Sequence, residues 1–166
     1  GSIVRKPVAS DPDLQTEFSS FLDGGWTAIT DEGFVGLVGP FFFREEAEGR
    51  LRFCFPTRRK HSNRNGLCQG GALVTFADRA LGIATRAATG ATRTATMQLD
   101  MHFIDSVRLG EVVELVPEVV RATKQIVFLT GRLEVGDRTV ALANGVWKRL
   151  AAAEAPPGSS GRKELV

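Results

Sequence analysis

The segment from Gly70 to Ala88 constrains this chain more than any other. It runs through Ala, Leu, Val, Phe and Ile with few polar interruptions and no proline, so one long helix is expected. A helix that is apolar on most sides has to be covered on most sides. A layer packed on one face cannot do that, whereas a sheet that curls around the helix can.

The rest of the chain supplies such a sheet. Phe34 to Arg44 and Leu51 to Pro56 read as strands flanking the acidic, Gly-containing turn Glu45 to Gly49. After Gly90 come four β-rich runs: Thr94 to Ile104, Glu111 to Arg121, Gln125 to Val135 and Thr139 to Leu150. Their links are short, at Leu109-Gly110, Ala122 to Lys124 and Gly136-Asp137, which implies antiparallel neighbours. The expected class is therefore α+β, a curved antiparallel sheet wrapped around a long central helix. Asp11-Pro12 opens a short amphipathic helix over residues 11–23, with Leu14, Phe18, Phe21 and Leu22 on one face. On this reading residues 1–28 are an N-terminal extension, 29–150 the domain, and 151–166 a disordered tail rich in Ala, Pro, Gly and Ser.

Charge and cysteine usage narrow the function. A formal charge of +2, with Lys and Arg scattered apart from Arg58-Arg59-Lys60, argues against nucleic acid as a partner. The basic cluster reads as a solvated turn or as a phosphate contact. No apolar stretch approaches the roughly 20 residues needed to span a bilayer, so no membrane partner is expected. Cys54 and Cys68 belong to no CxxC pair and follow no signal peptide, which points to a reduced, cytoplasmic protein. His61 and His102 are too few and too far apart for a metal site. No Gly-rich nucleotide loop or serine nucleophile elbow is present, and neither metal nor cofactor is expected.

Asp78 is the most informative single residue. It sits among Phe76, Ala77, Ala80 and Leu81, where a buried carboxylate costs several kcal/mol unless it is paired, hydrogen-bonded or protonated. Either it turns to solvent or to an arginine such as Arg79, or it is a general base or nucleophile in a mostly apolar cleft. Gly70 and Gly71 open the same helix, where free N–H groups polarised by the helix dipole suit a developing oxyanion; tight packing also calls for glycine. Eight residues separate Gly70 from Asp78, about 12 Å along a helix, so one carbonyl carbon cannot readily touch both. If two helices lie antiparallel across a two-fold axis, the start of one faces the middle of the other, giving two composite sites per dimer. His61, Asn63 and Gln69, in the loop before the helix, either hydrogen-bond a substrate or hold the loop. Thr96, in the next strand, could orient a water.

The segment HSNRNGLCQGGALVTFADRALG, His61 to Gly82, resembles the hotdog-fold acyl-CoA thioesterases of the phenylacetate-pathway, PaaI-like type. Their usual pattern runs His, Asn, Gly, then His-Gly-Gly, then a helix carrying an acidic residue. Val107 to Leu150 looks like the closing strands of that family, so the likeness covers roughly residues 30–150. The resemblance implies that Asp78 activates water or attacks the thioester carbonyl and that the Gly70 N–H polarises this carbonyl. It further implies that Asn63 lies near the reacting centre and that Thr96 holds the water. His61, Gln69 and Gly71 fall in the substrate-binding stretch. It implies an acyl-CoA substrate and a homodimer or homotetramer with sites at the subunit interface. The His of His-Gly-Gly is Gln69 here, which keeps a donor and an acceptor but does not become a cation near neutral pH. Two other functions share such a fold: a non-catalytic acyl-CoA binder or sensor, and a dehydratase of hydroxyacyl thioesters, which would want the missing histidine.

Overall fold

The computed structural model describes residues 17–152. The long apolar segment forms the helix α3 (Gly70–Thr89), stopped by Gly90 in the left-handed conformation at φ 69°, whose N–H donates to the Arg86 carbonyl. The inward face of α3 presents Leu73, Phe76, Ala77, Ala80, Leu81 and Ile83, all buried. Thr85 is buried with them, and its hydroxyl is satisfied by donating to the Leu81 carbonyl at 2.9 Å. Burying each of the larger apolar side chains contributes about 1.5–3 kcal/mol, which explains why a helix with so few surface polar groups stays put.

Around α3 lie β1 (Thr27–Ile29), β2 (Phe41–Glu45), β3 (Leu51–Pro56), β4 (Arg93–Phe103), β5 (Val112–Ala122), β6 (Ile126–Val135) and β7 (Arg138–Leu150). They form one antiparallel sheet in the order β1-β2-β3-β5-β6-β7-β4. Its concave face closes on the helix through Phe41, Phe53, Phe55, Leu115, Leu129, Leu133 and Trp147. This is the expected α+β arrangement.

Two expectations need correction. Phe34 to Arg44 is not one strand: residues Gly33–Val38 form a short helix, α2, and only Phe41–Glu45 is β. A Cβ at Gly36 would lie 2.2 Å from the Asp31 carbonyl oxygen, so the chain turns there more tightly than a strand permits. Nor does the link at Leu109-Gly110 close a hairpin, because β4 pairs with β7 and β5 with β3. The sheet curls far enough that the connection 104–111 crosses at the start of α3. There the Cys68 N–H donates to the Val107 carbonyl at 2.8 Å. That crossing sets the end of β4 beside the helix start.

The expected helix over residues 11–23 lies partly outside the described residues; within them, Ser19–Asp23 form α1. Around it, Phe18, Phe21, Leu22 and Trp26 pack on Ala28, Phe42 and Cys54 from the outer face of the sheet. The boundary drawn at residue 28 falls inside β1, so the described part of the extension is continuous with the sheet. Ala151 and Ala152 are exposed and irregular, and the rest of the expected tail lies outside the described residues. At the other edge of the sheet, β4 has one neighbour, β7, among the described residues. No helix there is long and apolar enough to cross a membrane.

Candidate active site

The loop 57–69 is built to hold the start of α3 still. The Gln69 N–H donates to the His61 carbonyl at 2.7 Å, and Ser62 bridges Cys68 as an isolated antiparallel pair. Asn63 Oδ1 accepts from the N–H groups of Asn65 and Leu67 at 2.8 and 3.1 Å, a turn that leaves the amide nitrogen of its side chain without a partner among the described residues. His61 is buried; Nδ1 accepts from the Arg58 N–H at 2.9 Å, while Nε2 stands 2.6 Å from the Val38 carbonyl as a donor. Of its two expected uses, the histidine therefore serves to hold the loop, since neither nitrogen is left for a substrate. Lys60 donates to the Leu37 and Gly39 carbonyls beside it, and Arg58 pairs with Glu17. Most of the basic cluster is thus spent on the C-terminal end of α2 and on the N-terminal segment rather than on solvent or phosphate.

Burial, with Lys60 and Arg58 adding repulsion, outweighs the Val38 hydrogen bond and holds the His61 pKa below its ordinary 6.5. The folded ring therefore stays neutral where the unfolded one already takes a proton. Stability from this group is full above pH 6.5 and is lost as the pH falls through the window below it. We expect the Tm advantage of wild type over His61→Gln, which keeps a donor and an acceptor but does not titrate, to shrink between pH 7 and about 5. A constant difference across that range would show that the ring is not held neutral.

The helix start itself is open. The N–H groups of Gly70 and Gly71 have no acceptor among the described residues. Gln69 is exposed, caps nothing with its side chain, and lines a polar hollow with Ser62, Asn63, Arg64 and Asn65. Gly70 faces a cleft of about 370 Å³ whose walls are Asn63, Leu67, Leu73, Phe103, Ile104 and Val107. A Cβ at Gly70 would stand 3.2 Å from the Phe103 ring, so the aromatic edge lies directly against the glycine. Phe41, Phe42, Phe53 and Phe55 are buried in packing, whereas Phe103 is 54% exposed and borders this cleft. Nothing local in the sequence marks Phe103; it arrives there because the sheet curls. Cys68 also lines the cleft, but burial pushes its thiol up to about 11, which leaves it protonated and unreactive at neutral pH.

Asp78 is half-buried and points away from the core. Its Oδ1 accepts a hydrogen bond from the Thr96 hydroxyl at 2.7 Å, across the gap between α3 and β4. Arg79 does not pair with it, being held by both oxygens of Asp31 at 2.6 and 2.8 Å. The Asp78–Thr96 pair borders a second cleft of about 320 Å³, separate from the one at Gly70. The structure thus brings Asp78 to Thr96, and Gly70 to Asn63, but leaves the two pairs on different stretches of one helix. A half-buried carboxylate beside a hydroxyl can take a proton from water, and paired N–H groups at a helix start can receive an oxyanion.

Comparison with known proteins follows the same lines. The model of the thioesterase superfamily matches residues 65–142, which include Gly70, Gly71, Asp78 and Thr96. A Pseudomonas aeruginosa protein provisionally named an esterase is 34% identical over 114 residues, covering 68% of this chain and 85% of that protein. Among solved structures, a mutant of the phenylacetic acid degradation protein PaaI from Thermus thermophilus superposes with a TM-score of 0.63 at 21% identity, over 72% of this chain and 100% of that one. A Streptococcus mutans protein bound to acetyl CoA gives a TM-score of 0.64 at 16% identity, over 75% of this chain and 96% of its own. At such identities the two structures bear on the fold.

Proposed function

Because this chain belongs to the thioesterase superfamily and has the hotdog fold, we propose that it is a PaaI-like member that hydrolyses an acyl-CoA thioester to a free acid and coenzyme A. The observation that carries this reading is the Asp78–Thr96 hydrogen bond beside an open cleft, on the same helix whose first N–H groups are free. The thioester carbonyl oxygen lies against the Gly70 N–H, with Gly71 beside it. Asp78 takes a proton from water held by Thr96, and the water oxygen bonds to the carbonyl carbon. The carbon–sulfur bond then breaks, and the sulfur leaves as the thiol of coenzyme A after taking from Asp78 the proton that came from water. Attack by the Asp78 carboxylate itself, followed by hydrolysis of the resulting anhydride, uses the same groups. The free side-chain nitrogen of Asn63 and the exposed Gln69 orient the substrate, Gln69 by hydrogen bonding alone. Support for coenzyme A as the leaving half comes from the acetyl-CoA-bound neighbour of the same fold.

The separation of Gly70 from Asp78 makes a second subunit part of this proposal. A homodimer in which two α3 helices run antiparallel joins the Gly70 cleft of one copy to the Asp78 cleft of the other. The free edge of β4 favours such pairing, since it leaves Met97 and Phe103 60% and 54% exposed on an open strand. The test is thiol release from a panel of acyl-CoAs by purified protein, read together with its mass in solution. Turnover by a dimer or tetramer is expected. Tight acyl-CoA binding without thiol release would make the protein a binder instead of an enzyme.

A further inference from the structure

The Asp78 cleft continues past the reacting groups along α3 toward Arg86, over a floor made by Trp147. Eight residues, about 12 Å of helix, separate Asp78 from Arg86, with Gly82 midway. Two features of this stretch are unexplained by packing. Arg86 is partly buried, yet it makes no salt bridge or hydrogen bond to any described residue, because Asp31 spends both carboxylate oxygens on the neighbouring Arg79. Burial, followed by the repulsion of Arg79 and only partly offset by the charge of Asp31, pulls the Arg86 pKa below the ordinary arginine value.

Gly82 is the second feature. Glycine in a helix interior costs about 1 kcal/mol relative to alanine. A Cβ there would meet only Trp147 Nε1 at 3.6 Å, an ordinary contact, so space for the fold does not require glycine. Beneath it the Trp147 N–H, in a side chain 1% exposed, has no acceptor among the described residues. The missing side chain keeps the cleft open between Asp78 and Arg86.

We propose that this stretch holds the acyl group of the substrate and that Arg86 receives a negative charge at its far end, so that the preferred thioesters are those of short dicarboxylic acids. The inference rests on the thioesterase reading above. A phosphate of coenzyme A offers Arg86 the same anionic chemistry, but Arg86 lines the same cleft as Asp78, within about 12 Å of helix, whereas the phosphates of coenzyme A are held off from the thioester by the whole pantetheine arm.

The experiment compares succinyl-, glutaryl- and adipyl-CoA with butyryl-, valeryl- and hexanoyl-CoA, in wild type, Arg86→Met, Arg86→Lys and Gly82→Leu. Wild type is expected to favour the carboxylated member of a pair by about 30-fold in kcat/KM, as a charge-assisted hydrogen bond would give. Arg86→Met should erase that ratio, chiefly through KM, and Arg86→Lys should restore part of it. Gly82→Leu should reject the longer acyl chains of both kinds while leaving Tm at or above that of wild type. A wild-type ratio near one would overturn the proposal, as would an Arg86→Met ratio unchanged from wild type. Equal losses on charged and uncharged substrates, matched by weaker inhibition by free coenzyme A, would assign Arg86 to a phosphate. Absence of hydrolysis of every thioester would sink the thioesterase reading itself, a result distinct from hydrolysis without preference.

Discussion

Asp78→Asn is expected to lower kcat by about 10³-fold on any acyl-CoA the protein hydrolyses, whether the carboxylate acts as base or as nucleophile. The substitution isolates the chemistry because the amide oxygen can still accept the Thr96 hydroxyl bond now made at 2.7 Å. The side chain is half-buried and forms no salt bridge among the described residues, so stability should change by no more than about 0.5–1 kcal/mol. Substrate binding should persist, with a Kd for a slowly hydrolysed acyl-CoA close to that of wild type. If turnover survived within a few-fold, another group would have to be the base. Thr96→Val provides the graded companion: losing only the hydroxyl that orients the carboxylate should cost about 10-fold, mostly in kcat.

How much of this was legible beforehand follows from the range of the interactions involved. The apolar run without proline that marks α3 as a buried helix is local, and the helix begins at the expected Gly70 and ends within one residue of the expected Ala88. The four strands after it likewise begin and end within one residue of where β-branched runs and Gly-containing turns placed them. By contrast, Phe34, Val35, Leu37 and Val38 are as apolar as any strand, yet they form a helical turn in which Gly36 comes against the Asp31 backbone. That approach is a property of the folded turn and leaves no periodic trace. Strand order was hidden for a related reason. The connection 104–111 is short enough for a hairpin, yet the curled sheet lets it cross the start of α3 instead.

The same division runs through the site. Gly70 and Asp78 could be singled out because a glycine pair at a helix start and a carboxylate in an apolar helix are chemical oddities in themselves. Phe103 against Gly70 and Arg86 beside Trp147 are ordinary residues in ordinary positions until the fold sets them there. His61 lay in a stretch of polar residues where function and loop-holding look alike, and only the observed engagement of both ring nitrogens separates the two.

Gly70→Pro is the second substitution expected to have a large effect, and with Asp78→Asn it tests whether two subunits share each site. Proline is favoured at the first position of a helix, and the residue before it, Gln69, already has the extended conformation proline demands, at φ −65° and ψ 132°. The variant should therefore fold while losing the one N–H aimed at the thioester oxygen. Its Cβ would press on Phe103 at 3.2 Å, a ring exposed enough to give way, and Gly70→Ala imposes the same contact while keeping the N–H. Gly70→Pro should thus fall below Gly70→Ala by about 10²–10³-fold in kcat. Mixing the two inactive proteins by joint refolding then gives a sharper result. A mixed dimer carries one composite site with both lesions and one with neither, and about half of the dimers are mixed, so about a quarter of wild-type activity should return. If each site were built within one subunit, every site would keep a lesion, and the mixture would be no more active than its parents.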